Sequence, residues 1–208
     1  MASSGLQGLG IALCVLGLIG AIVCCVVPKW NQSSHTGSSI VTAQTYQDGL
    51  WMSCVTQSTG QQQCKVYDSM LALSGELQTA RALTVVCIAL SILGLLASLL
   101  GANFTTCLGE EGAKGKAAAG AGGVLALAGL LLLVPVSWSA HVTIARFHNP
   151  ALADKREIGA CIWTGWGAAG LLLLGGGLLC CSWPRRGGGS SYAAKYINNP
   201  SAPARTHV

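Results

Sequence analysis

Gly49-Leu50-Trp51, then Cys54, then Cys64 after ten further residues, is the stretch around which the chain is arranged. It lies in a polar segment, residues 28–81, between two runs too apolar for a soluble domain. Trp30 stands near the start of that segment and Arg81 at its end. Residues 39–46 are rich in β-branched side chains, 50–56 and 63–67 are similar, and Ser58-Thr59-Gly60 offers a turn. The pattern predicts an antiparallel sheet with Cys54 and Cys64 facing each other across one hairpin. A bridge closing so short a loop contributes about 2–3 kcal/mol in the chain-entropy picture. A small sheet needs that help, because an isolated strand pair is marginal in water. Beyond Asp68 the spacing of Met70, Leu71, Leu73 and Leu77 turns helical and leads into the second apolar run.

Composition sets the class. Of 208 residues, 51% are hydrophobic and only 9% are charged, where soluble domains carry about 25%. Mean hydropathy is +0.55. A bilayer crossing takes about 20 apolar residues, and four runs qualify: 6–27, 82–102, 117–138 and 162–183. The first run has no basic residue before it and no clear cleavage site after it, so it is read as a span rather than a secretory signal. The chain divides into 1–27 (N-terminus and first span), 28–81 (first outer loop), 82–102 (second span), 103–116 (inner loop), 117–138 (third span), 139–160 (second outer loop), 161–183 (fourth span) and 184–208 (tail). Lys and Arg near the span ends bias orientation only weakly. A disulfide persists outside the cytosol, so the bridge places both termini inside and the two large loops outside. The expected fold is a membrane α+β protein.

Several function classes lose support. None of the four runs holds a charged residue, whereas a transporter works through buried ionisable groups. The clusters at 117–123, 165–170 and 175–177 are small-residue seams that let helices approach closely. Cys14, Cys24, Cys25, Cys87 and Cys161 read as packing thiols, while Cys107, Cys180 and Cys181, at the inner membrane edge, are candidates for palmitoylation. No His accompanies the cysteines at ligand spacing, so no metal or cofactor is expected. His141 and His148 lie near Asp154 and Glu157 without a nucleophile motif, so the chain does not read as an enzyme. No nucleic-acid partner is expected; membrane lipids are. Asn31-Gln32-Ser33 is a glycosylation sequon that abuts Trp30 at the bilayer and is expected to stay unused. The tail carries Gly187–189, Pro200 and Pro203 without apolar periodicity and is expected to be disordered. It ends Thr206-His207-Val208, the form of ligand that PDZ domains bind by strand addition.

Trp30, Gly49-Leu50-Trp51, Cys54, Cys64 and Arg81, in this loop and order, resemble the signature of the claudins, the strand-forming proteins of tight junctions. Supporting stretches are Cys64-Lys65-Val66-Tyr67-Asp68-Ser69, Pro135-Val136-Ser137-Trp138, Phe147-His148-Asn149-Pro150, Lys155-Arg156-Glu157 and Gly175-Gly176-Gly177-Leu178-Leu179-Cys180-Cys181. The resemblance runs from Gly5 to Ala194 and is strongest to the claudin-3/claudin-4 branch.

The resemblance implies a left-handed four-helix transmembrane bundle with a small extracellular antiparallel β-sheet and cytoplasmic termini. The first loop would supply most strands and the second loop one. It implies localisation at tight junctions of the plasma membrane and polymerisation with claudins of the same and the opposing cell. It also implies PDZ scaffold proteins of the zonula occludens type as partners. Phe147, His148, Asn149, Pro150 and Leu152 would form the trans-contact or toxin-binding loop, with clostridial enterotoxin a candidate ligand through the partial match Asn149-Pro150-Ala151-Leu152. Cation-pore claudins carry an acid just after the second cysteine. Lys65 stands there in this chain, and a second acidic site corresponds to neutral Gln57. A fixed ammonium in a narrow passage repels cations and favours anions, which implies a cation barrier with anion permeability. Three features depart from the family pattern: the polar run 31–37, His148 where a Tyr is usual, and His207 in place of Tyr before the terminal Val. A related tetraspan protein without strand assembly is the alternative reading.

Overall fold

A computed structural model of the chain describes residues 4–36, 43–68, 74–101, 111–148 and 156–181. Four helices dominate: α1 (Ser4–Val26), α2 (Gly75–Gly101), α3 (Glu111–Phe147) and α4 (Ala160–Cys181). All four are long and apolar enough to cross a membrane. In sequence order α1 packs on α2, α2 on α3 and α3 on α4, and α4 closes the bundle against α1.

The packing inverts that of a soluble protein. Outward faces carry Leu9, Leu16, Ile19, Leu93, Leu96, Leu127, Val134 and Leu174, all exposed. Many inward positions are small or weakly polar, with Cys14, Ala21, Cys24, Thr84, Cys87, Ser91, Ser98 and Ala169 buried beside the larger core residues Leu125, Leu132, Ile162 and Leu172. Lipid gives helices no hydrophobic reason to associate, so close backbone approach and local hydrogen bonds hold the bundle. The buried hydroxyls are satisfied within their own helices: Thr84 Oγ1 donates to Ala80 O at 2.7 Å and Ser91 Oγ to Cys87 O at 2.8 Å.

The glycine triplet in α4 divides its work. A methyl group at Gly175 would sit 2.7 Å from Gly10 O on α1, and one at Gly176 would sit 2.6 Å from Gly122 O on α3. Gly177 has open space beside it. Two glycines therefore form the α1–α4 and α3–α4 seams, and the third points away from both.

The sheet has five antiparallel strands in the order β4-β3-β2-β1-β5. They are β1 (Asn31–Thr36), β2 (Ala43–Asp48), β3 (Met52–Thr56), β4 (Gln62–Val66) and β5 (Arg156–Ile158). The hairpin β3–β4 turns at Gly60, whose φ of +80° suits a residue without a Cβ. β1 comes from Asn-Gln-Ser-Ser-His-Thr, which has no alternating apolar pattern. It is a strand because β2 and β5 pair with it on either side. The segment of helical spacing after Asp68 is described only from residue 74, with helix from Gly75; Met70, Leu71 and Leu73 lie outside the described residues. Helix α3 continues nine residues past Trp138 to Phe147. No Gly or Pro interrupts Ser139–Phe147, and leaving the apolar layer does not by itself end a helix.

Candidate functional site

The sheet sits on one end of the bundle, and the signature residues form the joint. Trp30 is buried; its indole Nε1 donates to Cys24 O at 2.7 Å and its backbone N to Asp48 O at 2.9 Å. Its carbonyl accepts from Gly159 N at 2.9 Å, and Lys29 O accepts from Cys161 N at 3.0 Å. One residue therefore links the end of α1, strand β2 and the start of α4. Gly49 bonds to Met52 O at 3.0 Å, and its Cα faces Pro28 so closely that a side chain has no room. Leu50 is 1% exposed and belongs to the core, and Trp51 Nε1 points to Cys25 Sγ at 3.4 Å.

Arg81 completes the joint from below. It lies in the second turn of α2 and is 8% exposed. Its Nε donates to Leu50 O, and its guanidinium carbon stands 5.0 Å from the Trp51 ring centre and 5.4 Å from that of Tyr67. Stacking on aromatic faces and a bond to a backbone carbonyl suit the planar guanidinium. Its Nη2 is buried with no hydrogen-bond partner among the described residues. The Tyr67 hydroxyl donates to Gly49 O at 3.3 Å. Burial, and after it the Asp48 carboxylate, push the Tyr67 phenol above its usual range, while Arg81 and Arg156 pull the other way.

The second loop is tied to the first. Arg156 on β5 bonds to Asp48 on β2 at 3.2 Å, across β1. Thr143 on α3 is buried with its hydroxyl 2.8 Å from Asn31 Oδ1.

The outer edge of the sheet is different in kind. Cys54 and Cys64 are bridged, with S–S 1.99 Å and Cα–Cα 4.0 Å. Cys54 is buried and Cys64 exposed. Every residue of β4 is exposed, and Lys65 stands on it opposite Ser53. Lys65 Nζ lies 2.6 Å from Asp68 Oδ2, with both side chains about three-quarters exposed (76% and 75%). The hydrogen bond to Asp68, and then its charge, raise the Lys65 pKa above the ordinary lysine value. Gln57 begins the β3–β4 turn, its N bonding to Gln61 O at 3.0 Å.

The remaining sequence-derived site residues fall in three places. Phe147 ends α3 and His148 follows it, both exposed, with rings 5.9 Å apart edge to face; Asn149, Pro150 and Leu152 lie outside the described residues. Cys180 Sγ donates to Ala119 O at 3.4 Å, whereas Cys181 is exposed at the end of α4. Cys107 and the tail residues Thr206, His207 and Val208 lie outside the described residues. Cys14, Cys24, Cys25, Cys87 and Cys161 are buried, as packing thiols should be. Tyr67, Asp68 and Arg156 stand in the sequence only within family-like stretches, and neither the contacts of Tyr67 and Asp68 nor the Asp48–Arg156 pair is read there. Asp68 alone had a local signal: it follows Lys65 by three residues.

Four membrane-length helices holding a disulfide-bridged sheet through Trp30, Gly49-Leu50-Trp51 and Arg81 define a multi-pass membrane protein with a sheet at one end. The chain belongs to the PMP-22/EMP/MP20/Claudin family, whose model matches residues 4–179. It is 54% identical to Claudin-4 of Bos taurus over 210 residues, covering 100% of each chain. It is 56% identical to Claudin-3 of Homo sapiens over 171 residues, 81% of this chain and 78% of that one. To Claudin-9 of Homo sapiens it is 55% identical over 170 residues, again 81% and 78%. The expected likeness to the claudin-3/claudin-4 branch is met.

Proposed function

We propose that the chain is a tight-junction strand protein that polymerises within one membrane and across to the next cell, sealing the space between them against cations. The observation that carries the reading is the position of fixed charge. Arg81 is the only charged residue buried among the described residues, and it is spent on the joint. Lys65, by contrast, stands exposed on a disulfide-braced edge strand. A passage through the bundle would lack polar machinery; a passage over the sheet has it.

Orientation follows from chemistry. Gly10 near the start of α1 packs by Leu179 near the end of α4, away from the sheet, so both described chain ends lie at the same end of the bundle. A disulfide suits an oxidising compartment, which supports a sheet outside and termini in the cytosol. Thr206-His207-Val208 then reaches PDZ scaffolds of the junctional plaque, and exposed Cys181 is a better acylation target than Cys180.

The test of assembly is freeze-fracture of cells without tight junctions that express the chain. Continuous ridges at contacts are expected. Protein at contacts without ridges would replace this reading with a tetraspan protein that does not form strands.

A further inference from the structure

Asp68 follows β4 by two residues, in the bend beyond Tyr67. Its carboxylate touches the Lys65 ammonium at 2.6 Å while three-quarters of each side chain remains in solvent. The other first-loop charges with described partners are occupied elsewhere: Asp48 by Arg156 at 3.2 Å and Arg81 by Leu50 O under the sheet. Among the described residues, Lys65 and Asp68 pair with each other beside the exposed edge.

From this contact we infer that Asp68 is a specificity-determining counter-ion, masking part of the Lys65 charge and limiting how strongly the chain favours anions over cations. The inference rests on the Lys65 reading above. Opposite charges in contact present a passing ion with a dipole, whose field falls off faster than that of a lone charge. The contact also draws the ammonium back toward the end of β4 instead of leaving it to extend. Solvated pairs of this kind are weak and open readily, so the mask is partial and Lys65 retains some of its effect. The raised Lys65 pKa agrees with the same contact.

The test is the ratio of chloride to sodium permeability from dilution potentials. It uses epithelial layers expressing the full chain, matched for protein at contacts, as wild type, Asp68→Asn, Lys65→Gln and the double variant. Asp68→Asn should raise the ratio about twofold, the scale of a weak surface pair. Lys65→Gln should lower it, by exposing Asp68, and the double variant should fall between Lys65→Gln and wild type. If Asp68→Asn matches wild type while Lys65→Gln shifts, Asp68 is a bystander and the Lys65 reading survives alone. If neither single variant shifts, the Lys65 reading fails together with the inference. If Asp68→Asn shifts and Lys65→Gln does not, Asp68 acts without Lys65 and the pairing is refuted. Should Asp68→Asn fail to reach contacts, the swap K65D/D68K takes its place. A swap with the wild-type ratio supports the pair; one as cation-selective as K65D overturns it.

Discussion

Replacing Arg81 by Met keeps a long, unbranched side chain in the joint and removes its charge and donors. The buried Leu50 carbonyl then loses the Nε–H donor, a loss of about 1–3 kcal/mol for an unsatisfied buried acceptor. The stacking on Trp51 and Tyr67 at 5.0 and 5.4 Å also goes, worth about 0.5–2 kcal/mol for a partly desolvated cation over aromatic faces. Against these stands relief of the buried Nη2, which has no partner and costs the native state about 1–2 kcal/mol. The terms span about −0.5 to 4 kcal/mol and centre on a destabilisation of about 2 kcal/mol. Arg81→Lys does not rescue it, because an ammonium offers neither the planar face nor the in-plane Nε–H. The assay is reversible unfolding in mild detergent, followed by near-ultraviolet circular dichroism with the Cys54–Cys64 bridge intact. A Met variant as stable as wild type, or a Lys variant that restores full stability, would refute the account of the joint.

Three further outcomes are expected. Gly49→Ala drives a methyl group into Pro28, so the sheet cannot seat on α1; surface biotinylation should show the variant retained inside the cell. Gly176→Ala brings a methyl group 2.6 Å from Gly122 O and forces α3 and α4 apart, whereas the methyl of Gly177→Ala meets nothing within 4 Å; thermal unfolding in detergent should separate the two clearly. The pair with Asp68 raises the Lys65 pKa, so the charged pair is complete below the usual lysine value and is lost only as pH rises through the raised one. Chloride preference should therefore be flat from about pH 6 to about pH 9, and a loss within that window would assign the selectivity to another group.

The spans were legible because crossing a bilayer demands an apolar run and little else. Their facing was not, since Leu and Val lie both on the lipid face and in the core, with Gly, Ser and Cys among the inward residues, so the usual amphipathic signal vanishes. Cys54 and Cys64 could be read as a hairpin pair from turn chemistry and spacing. β1 could not, because its polar residues are held extended by partners as distant as Arg156–Ile158. Arg81 looked like a charge marking the start of a span. Its contact with Leu50, 31 residues away, exists only once α2 and the sheet meet. The same limit applies to charge: the first loop carries three bases (Lys29, Lys65, Arg81) and three acids (Asp48, Asp68, Glu76), but folding buries Arg81 and joins Asp48 to Arg156. That leaves the Lys65–Asp68 contact as the described ion pair on the exposed edge.

The decisive comparison is the dilution potential across an epithelial layer expressing this chain with Lys65 intact or changed to Asp, with strands verified in both. A rise in sodium over chloride permeability on Lys65→Asp is the expected result and places the sheet edge in the ion path between cells. An unchanged ratio, with both proteins assembled at contacts, would contradict it and leave the chain an adhesive protein whose sheet lines no pore.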